Sequence, residues 1–218
     1  MRLSFVTGTA PDKWFTRFRD RTRHRLEVTD AADPLGKLVD ARCELALVRL
    51  PDARISDEHH VVVLYSEAPG IAVPKDHTLT LLDVVGPEDI EDEFLHYSPP
   101  ASGEVDVAAV RAGLQVVAAN VGVLIAPRPL IKALSRRQIE HRDYRGDVPA
   151  TDIALVWFKE KDSEAIQDFV GIAKGRTPNS SRQAAPKRSA REKTLAKQQR
   201  RAQQAPAAGK KGRPRGRR

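Results

Sequence analysis

Three residues near the amino end, Thr7, Gly8 and Thr9, have the types that bind an anion. Two hydroxyls flank a glycine directly ahead of a helical pattern. Unbonded N–H groups at a helix start, with hydroxyls beside them, suit a carboxylate. The plainer reading of the same residues is a turn at Gly8 and a helix cap at Thr9. A second set of chemical groups lies at the other end, in Gly209-Lys210-Lys211-Gly212-Arg213-Pro214-Arg215-Gly216-Arg217-Arg218. Pro214 keeps this segment extended and the glycines admit close backbone approach. Lys210, Lys211, Arg213, Arg215, Arg217 and Arg218 supply charge for phosphates, and narrow A·T minor grooves attract Arg.

Other reactive types lack a working arrangement. The single Cys43 excludes an internal disulfide and a multi-cysteine metal site. His59 and His60 read as surface residues of a polar loop with no ligand spacing partner. The acidic run at residues 88–93 lacks the spaced Asp, Asn and Gly of a calcium loop and reads as solvated surface. No nucleophile elbow and no phosphate-binding glycine loop is present, so neither an enzyme nor a cofactor is expected.

Charge divides the chain. Residues 175–218 hold 15 Lys and Arg against one acid, a net +14, while residues 1–174 hold 22 against 28, a net −6. The overall +8 therefore belongs to the tail, a distribution that points to an appended polyanion-binding arm. Beyond Gly175 the only aliphatic residue larger than Ala is Leu195. Such a segment cannot bury enough apolar surface to offset its ordering entropy, so disorder is expected there. It contains no aromatic residue for base stacking. No apolar run is long enough for a membrane span, and the amino end does not read as a signal peptide. A cytoplasmic location and no membrane partner are expected.

The body that must position Thr7, Gly8 and Thr9 alternates strands and helices. Residues 2–7 alternate as a strand. A helix follows with Pro11 and Asp12 in its first turn and Trp14, Phe15 and Phe18 inward; its far end is cationic at Arg17, Arg19, Arg21 and Arg23. A second strand spans residues 25–30. A second helix starts at Asp33-Pro34 with Leu35, Leu38 and Val39 inward, and residues 45–48 form a buried strand. This β-α-β-α-β order predicts an α/β body. Residues 61–65 read as another strand buried on both faces. Residues 94–97 suggest a short strand, and residues 139–142 carry only a faint strand pattern. Val107, Val110, Leu114 and Val117 form one helical stripe behind an Asp106 cap. Asn120 falls where a helix ends in a left-handed residue. Residues 123–126 and 152–158 read as buried strands, and Ser163 caps a last helix with Ile166, Phe169, Val170 and Ala173 inward.

The run Val117-Ala118-Ala119-Asn120-Val121-Gly122-Val123-Leu124-Ile125-Ala126-Pro127-Arg128 resembles the corner of LysR-type effector-binding domains, with Asn120 in place of their first glycine. Val39-Asp40-Ala41-Arg42-Cys43-Glu44-Leu45-Ala46-Leu47-Val48-Arg49 resembles their helix end and following strand. Val73-Pro74-Lys75-Asp76-His77-Thr78-Leu79 resembles their Pro-x-x-His-Pro-Leu segment, with Thr78 replacing proline. Residues 152–157 resemble their late return strand. The resemblance covers residues 1–174 and implies a periplasmic-binding-protein-like (type 2) fold of two α/β lobes that the chain crosses between twice. Lobe one is then residues 1–68 with 147–174, and lobe two is residues 69–146. The basic tail is residues 175–218. Lobe two looks reduced, because little chain separates Tyr97 from Val107. The family's amino-terminal winged helix-turn-helix has no counterpart in this sequence; in-frame codons upstream of Met1 are the alternative source of one.

By this resemblance, Thr7, Gly8 and Thr9 face Asn120, Val121 and Gly122 across an interlobe cleft. The expected ligand is a small-molecule effector, with a carboxylate suggested by the helix start, and a homodimer is implied. The tail resembles an AT-hook, which implies nucleic-acid contact through its cations and Pro214. The functional expectation is a regulator-like protein that senses a small molecule and contacts DNA through its tail. Two alternatives remain: a ligand-binding module without regulatory duty, and a nucleoid- or RNA-associated protein that binds without sequence preference.

Overall fold

The computed structural model describes residues 1–175. The tail expected to be disordered, with its AT-hook-like residues 209–218, lies outside the described residues. In chain order the elements are β1 (Arg2–Val6), α1 (Asp12–Arg21), β2 (Glu27–Ala31), α2 (Pro34–Val39), β3 (Leu45–Leu50), β4 (His59–Glu67), β5 (Pro69–Pro74), β6 (Val84–Val85), α3 (Val107–Val117), β7 (Leu124–Pro127), α4 (Arg128–Leu134), β8 (Ile139–Tyr144), β9 (Thr151–Phe158) and α5 (Glu164–Ala173). Three short 3-10 turns, at Thr78–Leu81, Pro87–Ile90 and Lys159–Lys161, complete the described residues.

The strands form two mixed sheets, each with its own lobe. The first has the order β2-β1-β3-β9-β4 and the second β6-β8-β5-β7. β1 is parallel to β2 and β3, and β9 returns antiparallel between β3 and β4. Alternation along β3 decides what each face of the first sheet meets. Leu45 and Leu47 join Phe15 and Phe18 of α1 and Ile166 and Phe169 of α5. Ala46 and Val48 join Leu35 and Leu38 of α2. In the second sheet, Leu124 and Ala126 of β7 pack with the α3 stripe Val107, Val110, Leu114 and Val117, and with Leu130 and Ile131 of α4. Ile71, Val73 and Ile125 face the other way and pack with Val85 and Leu79.

The chain crosses between lobes at two adjacent places. β4 ends at Glu67 and β5 begins at Pro69; β8 ends at Tyr144 and β9 begins at Thr151. Glu67 is registered with Thr151 in the first sheet and Gly70 with Asp143 in the second.

Local signals hold where the physics is local. The Asp106 carboxylate accepts from Ala108 N at 2.8 Å and Ala109 N at 3.0 Å, and Ser163 caps α5. Asn120 has φ +66°, the left-handed conformation expected of it. Four expectations are corrected. β4 is the sheet edge and buries only part of its apolar run: Val61 and Val63 are 40% and 50% exposed. Val39, at the end of α2, points outward. His59 is buried within β4, where Phe158 lies 4.5 Å from its ring. Residues 94–97 form no strand; one parallel bridge joins Leu95 to Val123. No helix among the described residues is long and apolar enough to cross a membrane.

Candidate functional site

Three strand ends from the first lobe converge where the chain crosses over. Arg49 near the end of β3 donates to Glu67 through Nε at 2.5 Å and Nη2 at 3.0 Å. Thr151 Oγ1 donates to the same carboxylate at 3.0 Å. All three residues are buried. Arg49 Nη2 also reaches the Thr7 carbonyl at 3.4 Å, tying the first loop to this network. The guanidinium's third nitrogen, Nη1, is buried with no hydrogen-bond partner.

Thr7, Gly8 and Thr9 take structural partners here. Thr7 Oγ1 donates to Asp30 at 2.5 Å. Thr9 Oγ1 donates to the Val6 carbonyl at 2.8 Å, and the residue ahead of α1 is Pro11, with no side chain bonded to the helix start. Thr9 therefore closes the turn and does not cap the helix. Gly8 has φ +98°, and a Cβ placed on it would lie 2.8 Å from the Leu130 Cα at the start of α4. Asn120, Val121 and Gly122 have other neighbours. Gly122, with φ +57°, fits against the Phe94 carbonyl, and Val121 O lies 3.0 Å from His96 Nε2. The first group thus packs on Arg49 and Leu130, the second on Phe94 and His96.

The close approach at Gly8 makes a firm prediction. Gly8→Ala must strain φ and meet backbone that cannot rotate away, so a loss of about 1–3 kcal/mol is expected. Thermal unfolding of the variant reads it directly, and an unchanged melting point would mean that the two lobes do not touch there.

Beside this contact lies a cavity of about 300 Å³, walled by both lobes. Lobe one supplies Val6, residues 32–35 and Val48, Arg49, Pro51, Asp52 and Arg54; lobe two supplies residues 104–108, the entry to α3. The volume is at the lower end of ligand pockets, roughly 300–1,000 Å³. Arg54 spans the rim. It holds Asp33 at 2.8 Å and Asp52 at 2.6 Å. The Arg54 side-chain hydrogen bonds keep the Asp33 carboxyl below its usual range against the opposing effect of burial, and the two carboxylates raise the Arg54 pKa in turn. Across the cavity the Asp106 carboxylate already occupies the α3 start, and Tyr97 OH accepts from the Asp106 N–H at 3.1 Å. Burial pushes the Tyr97 hydroxyl pKa up, keeping it protonated. The wall carries Asp33, Asp52, Glu104 and Asp106 against Arg49 and Arg54, and Arg49 is further balanced by Glu67.

Of these residues the sequence carried one sign. Arg49 follows the apolar run Leu45-Ala46-Leu47-Val48 and precedes Leu50, and a charge inside a buried strand calls for a partner. Nothing local pointed to Glu67, Arg54 or Glu104.

The same arrangement of sheets is found in solved structures. The effector-binding domain of BenM with its effector benzoate matches with a TM-score of 0.60 at 16% identity, over 82% of this chain and 96% of that one. The fold is that of a LysR-type effector-binding domain. The OxyR regulatory domain from Pseudomonas aeruginosa matches at 0.56 and 17%, over 80% and 95%. The regulatory domain of MetR, a LysR family regulator from N. meningitidis, matches at 0.51 and 19%, over 80% and 92%. No protein-family model matches the sequence, and no curated protein matches it. The MetR and OxyR neighbours are regulatory domains.

Proposed function

We propose that this protein is a regulator-like, non-enzymatic cytoplasmic sensor that binds a small molecule between its lobes and contacts DNA through its basic tail. The observation that carries the reading is the cavity walled by β3, the α2 start and the α3 start, on a LysR-type effector-binding fold. On this reading Arg49, Arg54, Glu104 and Asp106 meet the ligand, Thr7, Gly8 and Thr9 frame the approach of the lobes, and Asn120, Val121 and Gly122 set the corner of lobe two against Phe94 and His96. The four acids in the wall favour an amine-bearing or neutral polar effector over the carboxylate that the α1 start suggested. DNA contact is assigned to Lys210, Lys211, Arg213, Pro214, Arg215, Arg217 and Arg218, on composition and charge.

One set of measurements on the full chain tests both parts. Benzylamine and putrescine are expected to raise the melting temperature more than benzoate does; equal, null responses from all three would sink the cavity reading. Replacing Lys210, Lys211, Arg213, Arg215, Arg217 and Arg218 together by Gln should lower the slope of log Kobs against log salt by about 5 on a labelled duplex. An unchanged slope would remove the tail from the function. A parent chain that binds A·T-rich and G·C-rich duplexes equally would leave a sequence-blind polyanion arm and discard the minor-groove reading.

A further inference from the structure

We infer that the outer face of α1 and the loop after it form a second contact surface for the phosphate backbone of duplex nucleic acid. This deepens the nucleic-acid part of the proposed function, yet it rests on residues of the folded body and not on the tail.

Residues 13–25 hold Lys13, Arg17, Arg19, Arg21, Arg23 and Arg25 against the single acid Asp20, a net +5. The rest of residues 1–174 holds 16 Lys and Arg against 27 acids, a net −11. The cations are therefore concentrated against the trend of the body. The fold then directs them outward. Phe15 and Phe18 pin α1 to the core through Phe169, at ring distances of 6.1 and 5.6 Å, while all six cations remain exposed. Lys13, Arg17 and Arg21 follow at i, i+4 and i+8 and so line one side of the helix.

Folding alone does not account for this pattern. Like charges at i, i+4 weaken a helix, and here Lys13–Arg17 and Arg17–Arg21 are both such pairs. Cations in the last turn complement the helix dipole, which explains Arg19 and Arg21; Lys13 in the first turn opposes it. Among the described residues Lys13, Arg17, Arg19 and Arg23 have no ion pair. Repulsion of this kind is relieved when a polyanion covers it.

Two other partners fit less well. In a second copy the densest acidic segment is residues 88–93, where two of the five acids are already engaged, Glu88 by Arg145 and Glu93 by His77 at 3.0 Å. A membrane-surface helix interleaves its cations with exposed large apolar side chains, whereas Phe15 and Phe18 are buried and Trp14 packs against the core.

The test uses the full chain and a labelled duplex of mixed sequence, with binding followed by anisotropy across a potassium chloride series. Lys13→Gln/Arg17→Gln/Arg19→Gln/Arg23→Gln should lower the slope of log Kobs against log salt by about 3 to 4, because each cation released from a phosphate contact contributes about 0.9. Arg17→Gln/Arg23→Gln alone should lower it by about 2, and serves if the fourfold variant loses its native circular dichroism. A folded variant with the parental slope overturns the surface. So does a variant whose sedimentation changes while its DNA binding does not, which is the result a second copy would give. Adding the tail substitutions separates the two contacts: a slope that falls with the tail alone keeps the tail and discards α1, and the reverse discards the tail.

Discussion

Replacing Arg49 by Met is expected to cost about 3–5 kcal/mol of folding stability. The Arg49 side chain is 5% exposed and that of Glu67 is 0% exposed, so neither charge has water to fall back on. Removing the guanidinium leaves the Glu67 carboxylate with Thr151 as its remaining side-chain partner, and also frees the Thr7 carbonyl. Arg49→Met/Glu67→Leu should recover most of the loss, because a buried ion pair and a well-packed apolar pair are near-equal in stability. Urea unfolding of the parent, both single variants and the double variant gives the coupling. A single-variant loss below about 1 kcal/mol would place the pair in the class of solvated surface pairs, against its burial.

Phe169→Ala is expected to cost about 3–5 kcal/mol. Phe169 is 1% exposed and touches Phe15 and Phe18 of α1, so truncation opens a cavity between the two helices and the first sheet. The ring pairs add to the loss of buried area, by about 0.5–1.5 kcal/mol each. Val170→Ala, one position on and less deeply buried, should cost less. The midpoint of urea unfolding separates the two, and a Phe169→Ala midpoint equal to the parent's would detach α5 from the core.

What was legible in the sequence was what neighbours along the chain decide. The α3 stripe, the Asp106 and Ser163 caps and the left-handed Asn120 each depend on residues within about one helical turn or two. β4 misled because its run of valines says nothing about position in the sheet. At the edge, Val61 and Val63 face solvent, while β8, with its mostly polar sequence, lies between β5 and β6. The site was harder still. Arg49 and Glu67 are 18 residues apart, and Glu67 and Thr151 are 84 apart. Their meeting is a product of the sheet order. The notional pairing of residues 7–9 with residues 120–122 came from likeness, and the packing of Gly8 on Leu130 depends on the approach of α4, which no pattern near Gly8 announces.

The two crossings between lobes run side by side, bonded as β4 with β9 on one side and as β5 with β8 on the other. Mechanically this is a two-stranded torsion bar. The register bonds of each pair lie within one sheet, so any turn of one lobe against the other falls on residue 68 and residues 145–150, which join the pairs. On the proposed function, a ligand that shifts the spacing of the cavity walls is expected to turn the lobes about these two crossings. The Arg49–Glu67–Thr151 brace sits at the crossings themselves, at the end of β4 and the start of β9, and is expected to stay bonded when residues farther from them move.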